Sequence, residues 1–167
     1  MSEQDNTGVR LARGLVAGLV AGAVASFAMD RFQALASPLL PSGGGGRSEP
    51  ATEKAADAVS RQTTGHDVAE ANKPIAGQAI HYALGIGLGI AYGIVAEFRP
   101  SITAGYGTAF GFGTATLLDE GVVPAVGLGG AAWDTNVATN LYSYTSHLVF
   151  GSVSELVRQQ VSGTFTR

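Results

Sequence analysis

The sequence predicts an all-α membrane protein: a four-helix transmembrane bundle built from two repeated helical hairpins, with a short surface helix between the first two spans. The first observation behind this is the stretch Lys73 to Phe98, which carries no charge between Lys73 and Glu97. Residues Pro74 to Ala96, at about 1.5 Å rise each, are enough to cross a hydrocarbon layer roughly 30 Å thick. The second is the use of glycine. The 24 glycines are about twice the usual ~7% and lie mostly inside apolar blocks, where an exposed soluble helix would lose roughly 1 kcal/mol for each. The third is their period, because small residues recur every four positions in all four apolar blocks, the pattern that lets membrane helices approach backbone to backbone.

The rows are explicit. Gly77, His81, Gly85, Gly89 and Gly93 step by four through the charge-free stretch; Gly14, Gly18, Gly22, Ser26 and Asp30 do so near the amino-terminus. Gly107, Gly111, Ala115 and Asp119 form a third row, and Ser143, His147, Gly151 and Glu155 a fourth. The rows ending in Asp30 and Asp119 share G-x3-G-x7-D, and those of His81 and His147 share H-x3-G, so the chain reads as a duplicated hairpin with glycine-zipper packing. Each step of four drifts about 40° around a helix, so only neighbouring members of a row share a face.

Composition narrows the possibilities. The 46% apolar fraction is ordinary, but the 14% of charged residues is gathered at the amino-terminus, between about Arg47 and Lys73, and at block edges. A net charge of −3 gives no basic field for nucleic acid, and no phosphate loop is present. With no cysteine, disulfides and thiolate chemistry are excluded.

In order, a polar tail (1–13) expected to be disordered leads to the first span, about 14–36, stopped by Pro38 and Pro41. Arginines before an apolar run, with small residues around Ala23 to Ala25, also resemble a cleavable signal peptide. Cleavage would discard the row that the third block repeats, so the segment is read as retained. Ser42 to Arg47 is a glycine hinge, and about 50–64 a surface helix closed by Gly65, with Asp57 and Arg61 as an i,i+4 pair and Ala55, Ala56 and Val59 as a weak apolar stripe. His66 follows as an exposed, solvated residue. The second span is about 74–96, the third about 102–118 after a tight turn at Phe98 to Ser101, and Asp119 and Glu120 end it. An apolar loop ending in Trp133, an expected interfacial anchor, leads to the last span, about 137–157, and a polar tail, 159–167. The membrane domain is therefore 14–158. Basic residues tie in number across the two sides, but the loop after the third span has none, which favours both termini in the cytoplasm. An even number of spans per repeat relates the halves by an axis along the membrane normal.

The segments GLVAGLVAGAVASFAMD, HYALGIGLGIAYG, LLDEGVVPAVGL and HLVFG together resemble the YagU-like family of bacterial inner-membrane proteins, over about three quarters of the chain. The resemblance implies a multi-pass protein of the bacterial inner (plasma) membrane with a link to acid tolerance and stress response. It offers no catalytic residues to carry over.

Chain direction puts Asp30, His81, Asp119 and His147 at one membrane face, the non-terminal one, with Glu120 beside them. Ionisable residues in a membrane are costly and mark function or pairing. Three readings stand open. His81 with Asp30, and His147 with Asp119, can clasp each hairpin; the same groups can relay protons; or the four can ligate a divalent metal. A b-type haem held between His81 and His147 is a further alternative. The ridges expected to set the packing are Gly14, Gly18 and Gly22; Gly85, Gly89 and Gly93; and Gly107, Gly111 and Gly151. Glu97 and Glu155 fall toward the opposite side, with Glu155 placed to pair with Arg158 at i+3. No nucleophile and base can be read from spacing, so no catalytic residue and no cofactor is assigned, and an enzyme is not the expected class. The expected class is a structural or accessory envelope protein, in contact with lipid and with a membrane partner or a second copy. The alternatives are a small channel or proton-coupled transporter, and a metal- or haem-binding protein.

Overall fold

The computed structural model describes residues 3–39, 49–130 and 136–165, and the hinge Ser42–Arg47, Pro41 and Trp133 lie outside them. Among the described residues there is no strand. Helix α1 spans Glu3–Ala36, α2 Ala51–Thr64, α3 Lys73–Phe98 and α4 Thr108–Leu117; α5 is a single turn, Val123–Ala125, and α6 spans Val137–Thr164.

Helix α1 is central, packed along α3 on one side and α6 on the other, while α4 packs on α6 and α2 on the start of α3. The α1–α3 contact is set by glycine facing glycine. A Cβ placed at Gly89 would fall 2.5 Å from the Gly18 carbonyl oxygen and 2.6 Å from the Gly22 Cα, and one at Gly14 would fall 2.8 Å from the Gly93 oxygen. Such spacing leaves no room for a side chain, so the two backbones touch directly and run antiparallel. Helices α4 and α6 repeat the arrangement, since a Cβ at Gly151 would fall 2.6 Å from the Gly111 nitrogen and one at Gly107 2.8 Å from the Gly151 carbonyl carbon. The two contacts differ in register. Gly85 lies against Gly22 and Ser26, whereas Gly151, which matches it in the sequence rows, lies against Gly107 and Gly111. The second hairpin is thus displaced by one helical turn relative to the first.

Helix α6 runs antiparallel to α1. Phe32 and Tyr142 stack at 6.4 Å at one end, and Glu97, which Arg13 holds, receives Ser162 at 3.5 Å at the other. Between them Tyr92 stacks on Phe110 at 4.2 Å, and Phe110 meets Phe150 at 5.9 Å.

Several expected boundaries are corrected. The tail 1–13 is not disordered from end to end, because α1 begins at Glu3. Arg10 and Arg13 hold that end by bonding Glu97, and Arg10 lies 4.5 Å over the Phe98 ring. The carboxyl-terminal tail likewise continues α6 to Thr164, with Gln159 bonded to Glu155 and Ser162 to Glu97. The third helix starts at Thr108 rather than 102, since Gly105, Tyr106 and Gly107 all take the left-handed conformation and break the helical path. It does not end at Asp119, because a π turn over Leu118–Val122 carries the path into α5. The Asp57 and Arg61 pair does not form: Arg61 bonds Asp67 at 2.5 Å, and Asp57 turns to the Val68 amide and Lys73. Two helical stretches, Asn6–Ala36 and Glu70–Phe98, are long and apolar enough to cross a membrane. Helix α4 is too short by itself, and α6 is long but carries too many polar residues.

Candidate functional site

The row that brings α1 against α3 ends at Asp30, and the antiparallel pairing sets His81 beside it. His81 Nε2 lies 3.2 Å from Asp30 Oδ1, close enough for an ion pair but not aligned as a hydrogen bond. The other carboxylate oxygen accepts from Gln78, one turn before His81 on α3, and the Tyr82 ring meets the imidazole edge-on at 5.6 Å. Both side chains are half-buried. In the second hairpin His147 Nδ1 lies 3.0 Å from the Ser143 carbonyl and 3.5 Å from Asp119 Oδ2, and that carboxylate oxygen also accepts from the Ser143 hydroxyl. A carbonyl can only accept, so this geometry favours the tautomer with the proton on Nδ1. The one-turn displacement moves Asp119 away from His147, and the carboxylate reaches the ring from within the π turn. Glu120, next in that turn, is within ion-pair distance of neither histidine.

The structure therefore places four of the five candidate polar residues in two pairs. Among the described residues no group of three or more His, Asp or Glu converges so as to hold a metal. The candidate donors for a divalent ion are thus divided between two hairpins.

The more deeply buried polar cluster lies at the opposite end and joins α1, α3 and α6. Glu155, 1% exposed, accepts from Arg158 Nε and Nη2 and from Gln159, each at 2.7 Å, and from the Tyr92 hydroxyl at 2.8 Å. Glu97 is held by Arg13 through Nε at 2.9 Å. Spacing alone identified Arg158; it did not identify Tyr92, whose partner lies on another helix, or Arg10, Arg13 and Gln159, which come from the expected tails. The available signal was directional, since two glutamates and three arginines all fall at the same end of four alternating helices.

A third cluster clamps α2 to α3. Lys73 Nζ lies 2.8 Å from Glu49, 2.9 Å from Glu70 and 3.2 Å from Asp57, whose other oxygen accepts from the Val68 amide at 2.9 Å. Burial works against the Asp57 charge, but the Val68 amide and the Lys73 ammonium outweigh it and hold the carboxyl below its ordinary value. Gly77, which faces Thr52 and Glu53, lets α2 lie close.

Residues 51–156 match the family described as "Protein of unknown function (DUF1440)". The chain belongs to this family. The region it shares with the family runs from the start of α2 into α6 and takes in His81, Tyr92, Glu97, Asp119, His147 and Glu155, while Arg13, Asp30 and Arg158 lie outside it. No curated protein and no solved structure matches the chain.

Proposed function

We propose that this chain is a four-span protein of the bacterial inner membrane, both termini cytoplasmic, acting as a structural or accessory component of the envelope. One observation carries the membrane reading: its packing is inverted relative to a soluble bundle. The fully buried positions are small, with Ala17, Ala21, Ala25, Ser26 and Ala115 all at 0% exposure, while Leu15, Leu19, Phe27, Phe112 and Leu141 stand between 44% and 67% exposed. In water that arrangement leaves a large apolar surface uncovered; in lipid it removes nothing from contact with hydrocarbon, and small-residue packing becomes the force between helices. The same packing supports retention of α1, which supplies much of this interior. The third span on this reading is α4 with the π turn and α5, and the fourth is α6, whose Ser146, His147, Ser154 and Glu155 are turned inward.

The accessory role is favoured over a channel because the α1–α3 and α4–α6 contacts are backbone on backbone. A pathway through either would require the helices to part. The buried carboxylates Glu97 and Glu155 are likewise engaged by neighbouring side chains rather than arrayed along a route. The resemblance to YagU-like proteins adds the expectation of a contribution under acid stress, through a membrane partner or a second copy.

The chain has no cysteine, so single-cysteine variants report topology without background. With a membrane-impermeant thiol reagent on intact cells, Ser60→Cys is expected to label and Ser101→Cys only after permeabilisation. Labelling of both in intact cells, or recovery of the protein from lysate without detergent, would refute four spans. Purified protein in proton-loaded vesicles is expected to show no flux, and measurable flux would replace the accessory reading with transport.

A further inference from the structure

We propose that the end of the bundle bearing Arg10 and Arg99 binds the phosphate headgroups of anionic phospholipids, an inference that rests on the membrane reading above. Its first ground is charge. At this end Glu97 is matched by Arg13 and Glu155 by Arg158, so both carboxylates are engaged. Among the described side chains, Arg10 and Arg99 pair with no carboxylate, and by sequence this end carries five arginines against Glu3, Asp5, Glu97 and Glu155, an excess of one positive charge. At the other end acidic residues outnumber basic ones: Lys73 is ringed by Glu49, Asp57 and Glu70, Arg61 is held by Asp67, and Arg31 lies over the Phe27 ring.

The second ground is geometry. The Arg10 guanidinium is fixed over the Phe98 ring at 4.5 Å and donates one N–H to the Glu97 main-chain carbonyl. A guanidinium has five donors, and this contact leaves others to a phosphate, whose oxygens match the planar fork. Arg99 follows Phe98 directly, is exposed, and stands where α3 leaves its helical path. Exposed Val9, Leu11 and Phe98 flank Arg10, so apolar side chains for the acyl region and donors for the headgroup occur together at the end of two apolar helices. The inner leaflet of a bacterial membrane is anionic at its surface, and this end is the one that carries the termini.

The test reconstitutes the full chain into nanodiscs of equimolar phosphatidylglycerol and phosphatidylcholine and measures by native mass spectrometry which lipid stays bound on extraction. Wild type is expected to retain phosphatidylglycerol preferentially. The preference should fall about fivefold in Arg99→Gln and roughly 25-fold in Arg10→Gln/Arg99→Gln, the Boltzmann factor of the interaction one basic residue makes near an anionic surface applied once and twice. Arg10→Lys is expected to keep more of the preference than Arg10→Gln, and Arg61→Gln at the opposite end all of it. Because Arg99 is exposed, Arg99→Gln should keep the wild-type melting midpoint, so its loss of lipid is not a folding defect. Phosphatidylglycerol retained equally by wild type and the double variant would overturn the proposal, as would its displacement by inorganic phosphate. Failure of the protein to enter nanodiscs at all would overturn the membrane reading itself and is recognised separately.

Discussion

Two glycines on one helix, two residues apart, should respond to the same substitution in different ways. An alanine Cβ at Gly89 would meet the Gly18 oxygen at 2.5 Å and the Gly22 Cα at 2.6 Å, both backbone atoms that cannot rotate aside. Ordinary contact begins at 3.4 Å, so α1 and α3 must part by most of an ångström. That movement loosens the neighbouring contacts of Gly14 with Gly93 and of Gly22 with Gly85 as well. Overpacking of this kind costs about 1–3 kcal/mol. At Gly87 a Cβ meets nothing within 4 Å. In mixed micelles the unfolded state keeps its helices, so the roughly 1 kcal/mol of helix propensity gained by Gly→Ala in water largely cancels between states. Gly87→Ala should therefore change stability by no more than about 0.5 kcal/mol. Reversible unfolding in mixed micelles, followed by near-ultraviolet dichroism of the tyrosines, measures both. Equal effects of Gly89→Ala and Gly87→Ala would refute the claim that backbone contact along this ridge holds α1 to α3.

The buried glutamate cluster separates interhelical from intrahelical bonding. Tyr92→Phe removes the bond to Glu155 that comes from another helix and should cost about 0.6–1.7 kcal/mol. Glu155→Leu strands the Arg158 guanidinium and should cost about 3–5 kcal/mol, most of it recovered when Arg158→Leu is added; a double variant as weak as the sum of the singles would show the pair is not coupled. The α2 clamp should respond to acid. The Asp57 carboxyl is held below its ordinary 3.8, so its contribution is complete above that pH and is lost as pH falls further, when the folded carboxylate takes up a proton. Protection factors of α2 amides, referred to the intrinsic exchange rate at each pH, should fall over that acid range in wild type, whereas Asp57→Asn should show low protection already at neutral pH that changes little with acid.

How far the fold could be read in advance depended on the range of the interaction. Length, apolar runs and the interval of four are local properties, and they placed α2 and α3 within a residue or two and marked the glycines that turn out to face other backbones. The start of α4 escaped because the left-handed run at Gly105, Tyr106 and Gly107 is not forced by composition, and residues 102–104 are apolar enough to belong to a span. The amino-terminal turns of α1 escaped because a polar segment has no periodic apolar face; what holds them is Glu97, far along the chain.

The sequence by itself determined which residues stand at which end, because alternating helices with known order fix that without coordinates: Asp30, His81, Asp119 and His147 at one end, Glu97, Glu155, Arg13 and Arg158 at the other. Only the tertiary structure decided which of them meet. Register between helices is set by how two ridges interlock, and a displacement of one turn costs nothing that a single row of small residues can reveal. That displacement gives Asp30 and His81 a direct approach and leaves Asp119 to reach His147 from a π turn beside Ser143. Burial was decided there too, since the charge of Glu155 is stable out of water only when Tyr92, from a different helix, arrives with Arg158 and Gln159 to satisfy it.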